Sequence, residues 1–464
     1  MNILQVSTFD HGGGAEKVAE LLHHGYQAAG QRASLAVKRR RGAIPGTIEI
    51  PETHGHGAWA SAWLKGAKGC EARSGRMRGM GAAATLMRAI ARPAASLDRQ
   101  RGIEDFHYPA SRYLPDLPEA RPDILQCHNL HGNYFDLRAL ADLSRRLPVV
   151  LCPHDCWLMT GHCAHFFDCN RWRAGCGQCP NLATYPAVRR DATDQNWARK
   201  REIFTKARVY MGFESRWLQS QYHQSFVAPA IIEDRIIHDT VDAPYFEPRD
   251  GKAVRETLGL GPDTLVLLFA ANSIRQNEWK DYRTLSEALE RIGAANTGRP
   301  VVLLALGDTC PDERIGEALI RYLPFERDPS VIAGYYHAAD VYLHAAKIET
   351  FSLTIAEAMA CGTPVVATAA GAVPERIIGL DHPAAWRGGE RFGPDRATGV
   401  LVPPGDGAAM AEATLAIATD SHLADQLSRN AALEADRCYR IERQVGAYLD
   451  WFTEILESRK AGGF

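Results

Sequence analysis

Apolar positions in this chain come in short unbroken runs, separated by stretches in which they recur at helical spacing. "NILQVST" is such a run, "DHGGG" a glycine turn, and "AEKVAELLHHGYQAAG" has a helical period as far as Gly30. "RASLAVKR" and "PDILQCHN" are further strands, then "FDLRALADLSRRL" a helix, "PVVLCPHD" and "ARVYMGFES" strands, and "RWLQSQYHQS" a helix. A strand buried on both faces reads as a continuous apolar run. Strands that alternate with helical patterns predict a parallel sheet with crossover helices.

The alternation breaks at "RIIHDTVDAPYFEP", where Pro244 and Pro248 punctuate a polar stretch, so a linker is expected there. It restarts with the strand "TLVLLFAAN", the helix "DYRTLSEALERIGA" and the strand "RPVVLLALGD". "DVYLHAA", "TPVVATAAG" and "TGVLVPPGD" are the later strands, with "LTIAEAMAC" a helix, and helices fill the rest of the chain through "VGAYLDWFTEILES". A single core rarely grows past roughly 250–300 residues, and the chain has 464. The expectation is an α/β protein of two tandem Rossmann-like, doubly wound domains, residues 1–240 and 241–440, with a cleft between them. A C-terminal helix over 441–464 is expected to pack back on the first domain.

One segment departs from the pattern. Residues 55–105 are rich in Ala, Gly and Arg, with few acids. They predict a solvated helical excursion, the alternative being a surface that rests on anionic lipid or a phosphorylated acceptor. Net charge is -2, so global charge gives no argument for a nucleic-acid partner. "MNILQVST" lacks the basic start and apolar core of a signal peptide, and no apolar run reaches the roughly 18 residues of a membrane span. These features predict a cytoplasmic protein, with peripheral contact at the inner membrane face as an extension.

In such a compartment the 11 cysteines stay reduced or bind metal. "GHCAHFFDCNRWRAGCGQCP" (the loop 161–180) carries Cys163, Cys169, Cys176 and Cys179, the last two as C-x-x-C. Four thiolates suit a tetrahedral structural zinc, with His162 and His165 as spare ligands. Four uncomplexed cysteines in a Gly- and Trp-rich loop, or a disulfide in an oxidising compartment, are the other readings.

"ETFSLTIAE" places Glu349 just after the strand "DVYLHAA" and Glu357 about two turns into the helix that follows. Ligands of open parallel sheets bind outside the carboxyl ends of the strands. A helix start offers free N–H groups and a positive dipole, a ready site for phosphate. Acids on either side of such a site suit a nucleotide sugar, which has hydroxyls on both sides of a diphosphate. The dipole alone also favours acids at a helix start. Lys280 in "NEWKDYRTL" likewise follows a strand and precedes a helix, where it could supply charge to a leaving diphosphate.

"ETFSLTIAEAMACGTPVVATAAGAVPE" resembles the E-x7-E region of the family 4 glycosyltransferases. "HGGGAEKV", "PDILQCHNLHG", "SRWLQSQ", "WKDYRTLSEAL" and "TGVLVPPGD" resemble other segments of the same family. The resemblance implies the GT-B fold and a retaining hexosyltransferase that uses a UDP- or GDP-sugar without a catalytic metal. The acceptor would be a glycan, a lipid-linked or a small molecule, as in bacterial polysaccharide, lipopolysaccharide or glycolipid synthesis. It implies a catalytic set of His128, Lys280 and Glu349. Glu349 would bind donor-sugar hydroxyls, Lys280 the diphosphate, and His128 would lie near the anomeric centre. Gly13, Gly14, Thr350, Phe351, Ser352 and Leu353 would meet the donor, and Glu357 the ribose. Arg275 is the nearest candidate for the arginine the family pairs with its lysine, Asn272 and Ser273 occupying the usual place. Gly12 and His154 are expected on the acceptor side. Other readings are a sugar-nucleotide epimerase, a sugar phosphorylase, or a non-catalytic nucleotide-sugar-binding module.

Overall fold

The computed structural model describes residues 1–242, 245–295 and 298–462. Pro244 of the expected linker lies outside them. The chain divides into two compact units. One comprises Met1–Phe213, Leu218–Ile237 and the chain from Ala447 on; the other comprises Glu214–Trp217 and His238–Gly446.

The first unit carries the strands β1 (Asn2–Phe9), β2 (Arg32–Arg39), β3 (Thr47–Glu49), β4 (Ile124–Cys127), β5 (Val149–Leu151), β6 (Val209–Phe213) and β7 (Ile231–Ile236). They form one parallel sheet in the order β3-β2-β1-β4-β5-β6-β7. The helices of this part of the chain are α1 (Gly14–Ala28), α2 (Ala58–Glu71), α3 (Met80–Ala91), α4 (Pro93–Arg101), α5 (Leu140–Arg146), α6 (Thr193–Lys206) and α7 (Arg216–His223).

The second unit has its own sheet of β8 (Leu265–Ala270), β9 (Val301–Leu306), β10 (Glu313–Ile315), β11 (Ala318–Leu323), β12 (Val341–His344), β13 (Val365–Thr368) and β14 (Gly399–Val402). Its order is β10-β11-β9-β8-β12-β13-β14, parallel throughout except for the antiparallel β10–β11 hairpin. Its helices are α8 (Lys252–Thr257), α9 (Tyr282–Ala294), α10 (Pro329–Ala338), α11 (Leu353–Ala360), α12 (Gly407–Thr419) and α13 (Ser421–Cys438), and α14 (Ile441–Lys460) closes the chain.

Alternation of side chains along β8 shows why the central runs are unbroken. Leu265, Leu267 and Phe269 pack with Leu285, Leu289 and Ile292 of α9, while Val266, Leu268 and Ala270 share a second core with Tyr336, Ile355 and Met359. Both faces are covered by helices, so every position must be apolar.

Several elements differ from the sequence expectation. β7 occupies the start of the expected linker, because an edge strand with half-exposed residues ("IIEDRI") lacks the apolar signature. The β10–β11 hairpin and α10 fill a stretch from which no element was read. The basic segment is helical (α2, α3 and α4), yet its charge is partly neutralised. Arg88 pairs with Glu52 and Glu71, and Arg92 with Glu52. The E-x7-E helix starts at Leu353, as the run "LTIAEAMAC" suggests, and Ser352 before it sits in the left-handed region (φ 76°). From Ala447 on, α14 packs within the first unit, where Trp451 Nε1 donates to Glu233 at 2.9 Å and the Tyr448 hydroxyl lies 3.3 Å from Cys152 Sγ. Among the described residues, no helix is long and apolar enough to cross a membrane.

Candidate active site

Each sheet has a point at which its strand order reverses: between β1 and β4 in the first unit, and between β8 and β12 in the second. Crevices outside the carboxyl ends of the strands at such points are where open α/β sheets hold ligands. The candidate residues fall at both.

In the second unit, the chain leaving β8 and the chain leaving β12 are laced together. The Lys347 amide donates to the Trp279 carbonyl at 2.8 Å, the Asp281 amide to the Ala345 carbonyl at 3.0 Å, and Lys280 bridges Ala346 in antiparallel register. Asp281 also caps α9, accepting from the Thr284 amide and hydroxyl at 3.3 and 2.7 Å. This lacing brings together two residues 69 positions apart: the Lys280 ammonium donates to Glu349 Oε1. Both side chains are nearly buried, 13% and 15% exposed.

His344, the last residue of β12, is fully buried and lies 3.2 Å from the same carboxylate oxygen through Nε2. Burial pushes the His344 imidazole below its usual range, and the neighbouring Lys280 charge adds to that. The neutral ring therefore donates Nε2–H to Glu349, leaving Nδ1 to accept from the Tyr342 hydroxyl at 3.3 Å. Burial by itself would raise the Glu349 carboxyl. The Lys280 charge and the His344 hydrogen bond outweigh it and hold the group well below the usual carboxylate range. Glu349 is thus an ionised, fixed acceptor.

Past Glu349 the chain turns into α11. Thr350, Phe351 and Ser352 are buried, and Leu353 opens the helix. Ser352 Oγ lies 3.5 Å from His344 Nε2 and 3.3 Å from Thr354 Oγ1. Glu357, inside the helix, accepts from the Tyr336 hydroxyl at 2.8 Å. Gly371, just past β13, packs against the site from behind: a Cβ there would lie 2.1 Å from the Glu349 carbonyl oxygen. Arg275 does not join the Lys280–Glu349 pair. Glu313 and Tyr322 of the β10–β11 hairpin engage its guanidinium, Tyr322 at 2.9 Å.

In the first unit, β1 ends at the glycine turn. Gly13 caps α1, its amide donating to the Glu16 carboxylate at 3.0 Å, while Gly12 precedes it and Gly14 is the first helical residue. Across the switch point β4 leads into His128, which is buried. Its Nε2 lies 3.2 Å from Gln5 Nε2, and its Nδ1 lies 3.1 Å from His154 Nε2, the two rings stacked within 10°. His154 is anchored in turn by its amide, which donates to Asn129 at 2.9 Å. His128 and His154 are therefore neighbours.

Sequence reasoning missed His344, Gly371 and the His131–Asp155 pair (2.7 Å) that flanks the turn after β4. The first had a legible signal, a lone polar residue ending the apolar run "VYLHAA". Gly371 follows a strand, where glycine is unremarked without a view of what it touches.

The cysteine loop brings Cys163, Cys169, Cys176 and Cys179 within electrostatic reach of one another. A tetrahedral centre with Zn–S near 2.3 Å needs sulfurs about 3.8 Å apart. No three ligand atoms of Cys163, Cys169, Cys176, Cys179, His162 and His165 lie within 4.8 Å of one another. Burial pushes the Cys163 thiol up to about 12 and Cys176 up to about 11. His162 Nε2 lies 3.3 Å from Cys179 Sγ, and the Cys179 amide donates to Asp191 at 2.7 Å. The buried Lys200 ammonium donates to the carbonyls of Trp157 (2.9 Å) and Thr160 (3.1 Å) and to Glu104 (3.0 Å), so the neighbouring loop is organised around a protein cation.

Two doubly wound units with these switch points define the GT-B class of glycosyltransferase folds. The family model "Glycosyl transferases group 1" matches residues 264–420. It is 25% identical over 279 residues to WcaC of Escherichia coli (strain K12), named as a colanic acid biosynthesis glycosyl transferase, a match covering 55% of this chain and 62% of WcaC. It is 36% identical over 156 residues to D-inositol 3-phosphate glycosyltransferase of Actinosynnema mirum, covering 31% of this chain and 37% of that protein. The chain thus spans less than two thirds of the length of either relative. Among solved structures it resembles sucrose-phosphate synthase of Thermosynechococcus elongatus, with a TM-score of 0.60, 17% identity, and 98% of this chain and 99% of the other covered. It also resembles Anabaena HepE in complex with UDP-glucose, with a TM-score of 0.56, 17% identity, and 97% and 99% covered.

Proposed function

We propose that the protein is a retaining glycosyltransferase that moves a hexosyl group from a UDP- or GDP-sugar to an acceptor hydroxyl. The observation that carries this reading is the Lys280–Glu349–His344 cluster at the start of α11, at the switch point of the second unit. HepE, whose fold this chain shares, was solved with UDP-glucose, and WcaC is named for colanic acid biosynthesis; both support the same direction.

The chemistry follows from the groups present. Glu349 is held ionised, so it accepts hydrogen bonds and donates none, which suits the hydroxyls of a donor sugar. The free N–H groups at the start of α11 suit the diphosphate, and Glu357 further along the helix suits the ribose hydroxyls. Lys280 spends one of its three N–H groups on Glu349 and has the others for the diphosphate. As the sugar–phosphate bond breaks, charge accumulates on the departing diphosphate. A preorganised ammonium there stabilises the transition state more than the ground state, and only that difference raises the rate. In a retaining transfer the acceptor hydroxyl attacks from the face the diphosphate leaves, giving it its proton. His128 and His154 are assigned to positioning sugar and acceptor.

The experiment is a calorimetric titration of UDP and GDP, followed by product analysis with the nucleotide sugar that binds. Binding of one nucleotide with transfer or slow hydrolysis of its sugar, the anomeric configuration preserved, is the expected result. Tight binding with neither transfer nor hydrolysis would leave a binding module in its place.

A further inference from the structure

The first unit holds a cavity of about 360 Å³ that the reaction scheme above leaves unused. It opens at the carboxyl ends of β1, β2 and β3, the edge where a doubly wound sheet takes ligands, and is roofed by the basic segment. Six cations line it: Lys38, Arg39, Lys68, Arg88, Arg92 and Arg99. Only three carboxylates face them, Glu49, Glu52 and Glu71.

The acids are all spent on holding cations in place. Glu71 takes Arg39 at 3.0 Å and Arg88 at 2.6 Å; Glu52 takes Arg88 at 3.1 Å and Arg92 at 3.2 Å; Glu49 takes Lys68 at 3.2 Å. Lys38 donates to the Gly132 carbonyl at 2.6 Å, and Arg99 meets only the Ser96 hydroxyl at 3.4 Å. Arg92 decides the matter. It is 7% exposed, yet its Nε and Nη1 have no hydrogen-bond partner. A guanidinium carries five N–H donors and cannot shed its charge. Buried polar groups in folded proteins are satisfied, and an arginine left with spare donors in a cationic cavity fits an oxyanion that completes it.

We propose that this cavity binds a phosphoryl group, and, taking the transferase reading as given, that the acceptor is a phosphorylated molecule seated by its phosphate on Arg92, Arg99 and Lys38. The basic segment that interrupts the sheet pattern is then the part of the chain that sets acceptor choice.

The test is calorimetric titration of the whole protein with inorganic phosphate, glucose 6-phosphate and glucose, beside the variants Arg92→Gln, Arg99→Gln and Arg76→Gln. Arg76 is an exposed arginine of the same segment that does not line the cavity. Phosphatidylcholine vesicles with and without phosphatidic acid form a parallel arm. Glucose 6-phosphate should bind at least tenfold more tightly than glucose, with at least a tenfold loss in Arg92→Gln and Arg99→Gln and none in Arg76→Gln. Should Arg92→Gln fail to fold, the exposed Arg99→Gln decides alone. Binding confined to phosphatidic acid vesicles, with the same arginine dependence, assigns the phosphoryl group to a lipid. No preference for phosphate, or an equal loss in Arg76→Gln, overturns the proposal. UDP and GDP titrated in the same series separate the two ideas. Phosphate binding without nucleotide binding sinks the transferase reading alone, and nucleotide binding without phosphate binding sinks this one alone.

Discussion

Gly371 lies against the backbone of Glu349 so closely that a Cβ would sit 2.1 Å from the Glu349 carbonyl oxygen and 2.9 Å from its nitrogen. The amide of the next residue, Ala372, donates to that same carbonyl at 2.9 Å. Glu349 is therefore seated on a surface that only glycine provides, and Gly371 has a positive φ of 58° besides. Gly371→Ala is expected to shift Glu349 and lower turnover at least tenfold, since a displacement of about 1 Å in a positioning group can cost about 10²-fold. Steady-state kinetics beside a melting curve checks it; turnover preserved in a folded variant contradicts it.

Lys280 and Glu349 form a pair with little exposure, so removing one partner strands the other. Lys280→Ala and Glu349→Ala are each expected to lose up to about 3 kcal/mol of stability. Lys280→Met combined with Glu349→Leu should recover much of that, because replacing both charges with apolar groups of similar size is often neutral. Turnover should fall by about 10²–10³ in Lys280→Ala and stay low in the double variant. Denaturant melts and kinetics on the three proteins separate stability from chemistry. A double variant no more stable than the singles would show that the charges do not act as a pair.

Acid should weaken the fold through the same carboxylate. The folded-state pKa of Glu349 lies below its unfolded value, about 4.3. Its contribution is then fully present above that value and is lost as pH falls below it, toward the folded pKa. The melting-temperature gap between wild type and Glu349→Gln should be widest at pH 7 and shrink toward pH 3. A gap independent of pH would mean that Glu349 is not ionised in the folded protein.

Ser352 has φ 76° and ψ 85° at the cap of α11, a conformation open to glycine and strained for other residues. Its hydroxyl makes only long contacts, 3.5 Å to His344 and 3.3 Å to Thr354. Relief of strain should therefore offset the lost hydroxyl in Ser352→Gly, while Ser352→Ala loses the hydroxyl and keeps the strain. Thermal melts should rank Gly above Ala by about 1 kcal/mol. The reverse order would make the hydroxyl contacts the larger effect.

What the sequence determined by itself is the part of the molecule built from local, periodic rules. Runs such as "LVLLFA" and "VVLLAL" are unbroken because both sheet faces are covered, so the parallel two-sheet architecture was legible from them alone. Glu349 and Lys280 were legible as candidates because each sits at a strand end or helix start, where backbone groups are left free, and Glu357 through the E-x7-E resemblance. The tertiary structure decided the rest. Lys280 and Glu349 meet only because the segments after β8 and β12, remote in the chain, are hydrogen-bonded to each other. Edge elements such as β7 and the β10–β11 hairpin have one exposed side and so carry no strong apolar signal. The charge of the basic segment was plain in the sequence. That three glutamates would spend themselves bracing it, leaving Arg92 buried with open donors, depends on which side chains share a cavity, and only packing decides that.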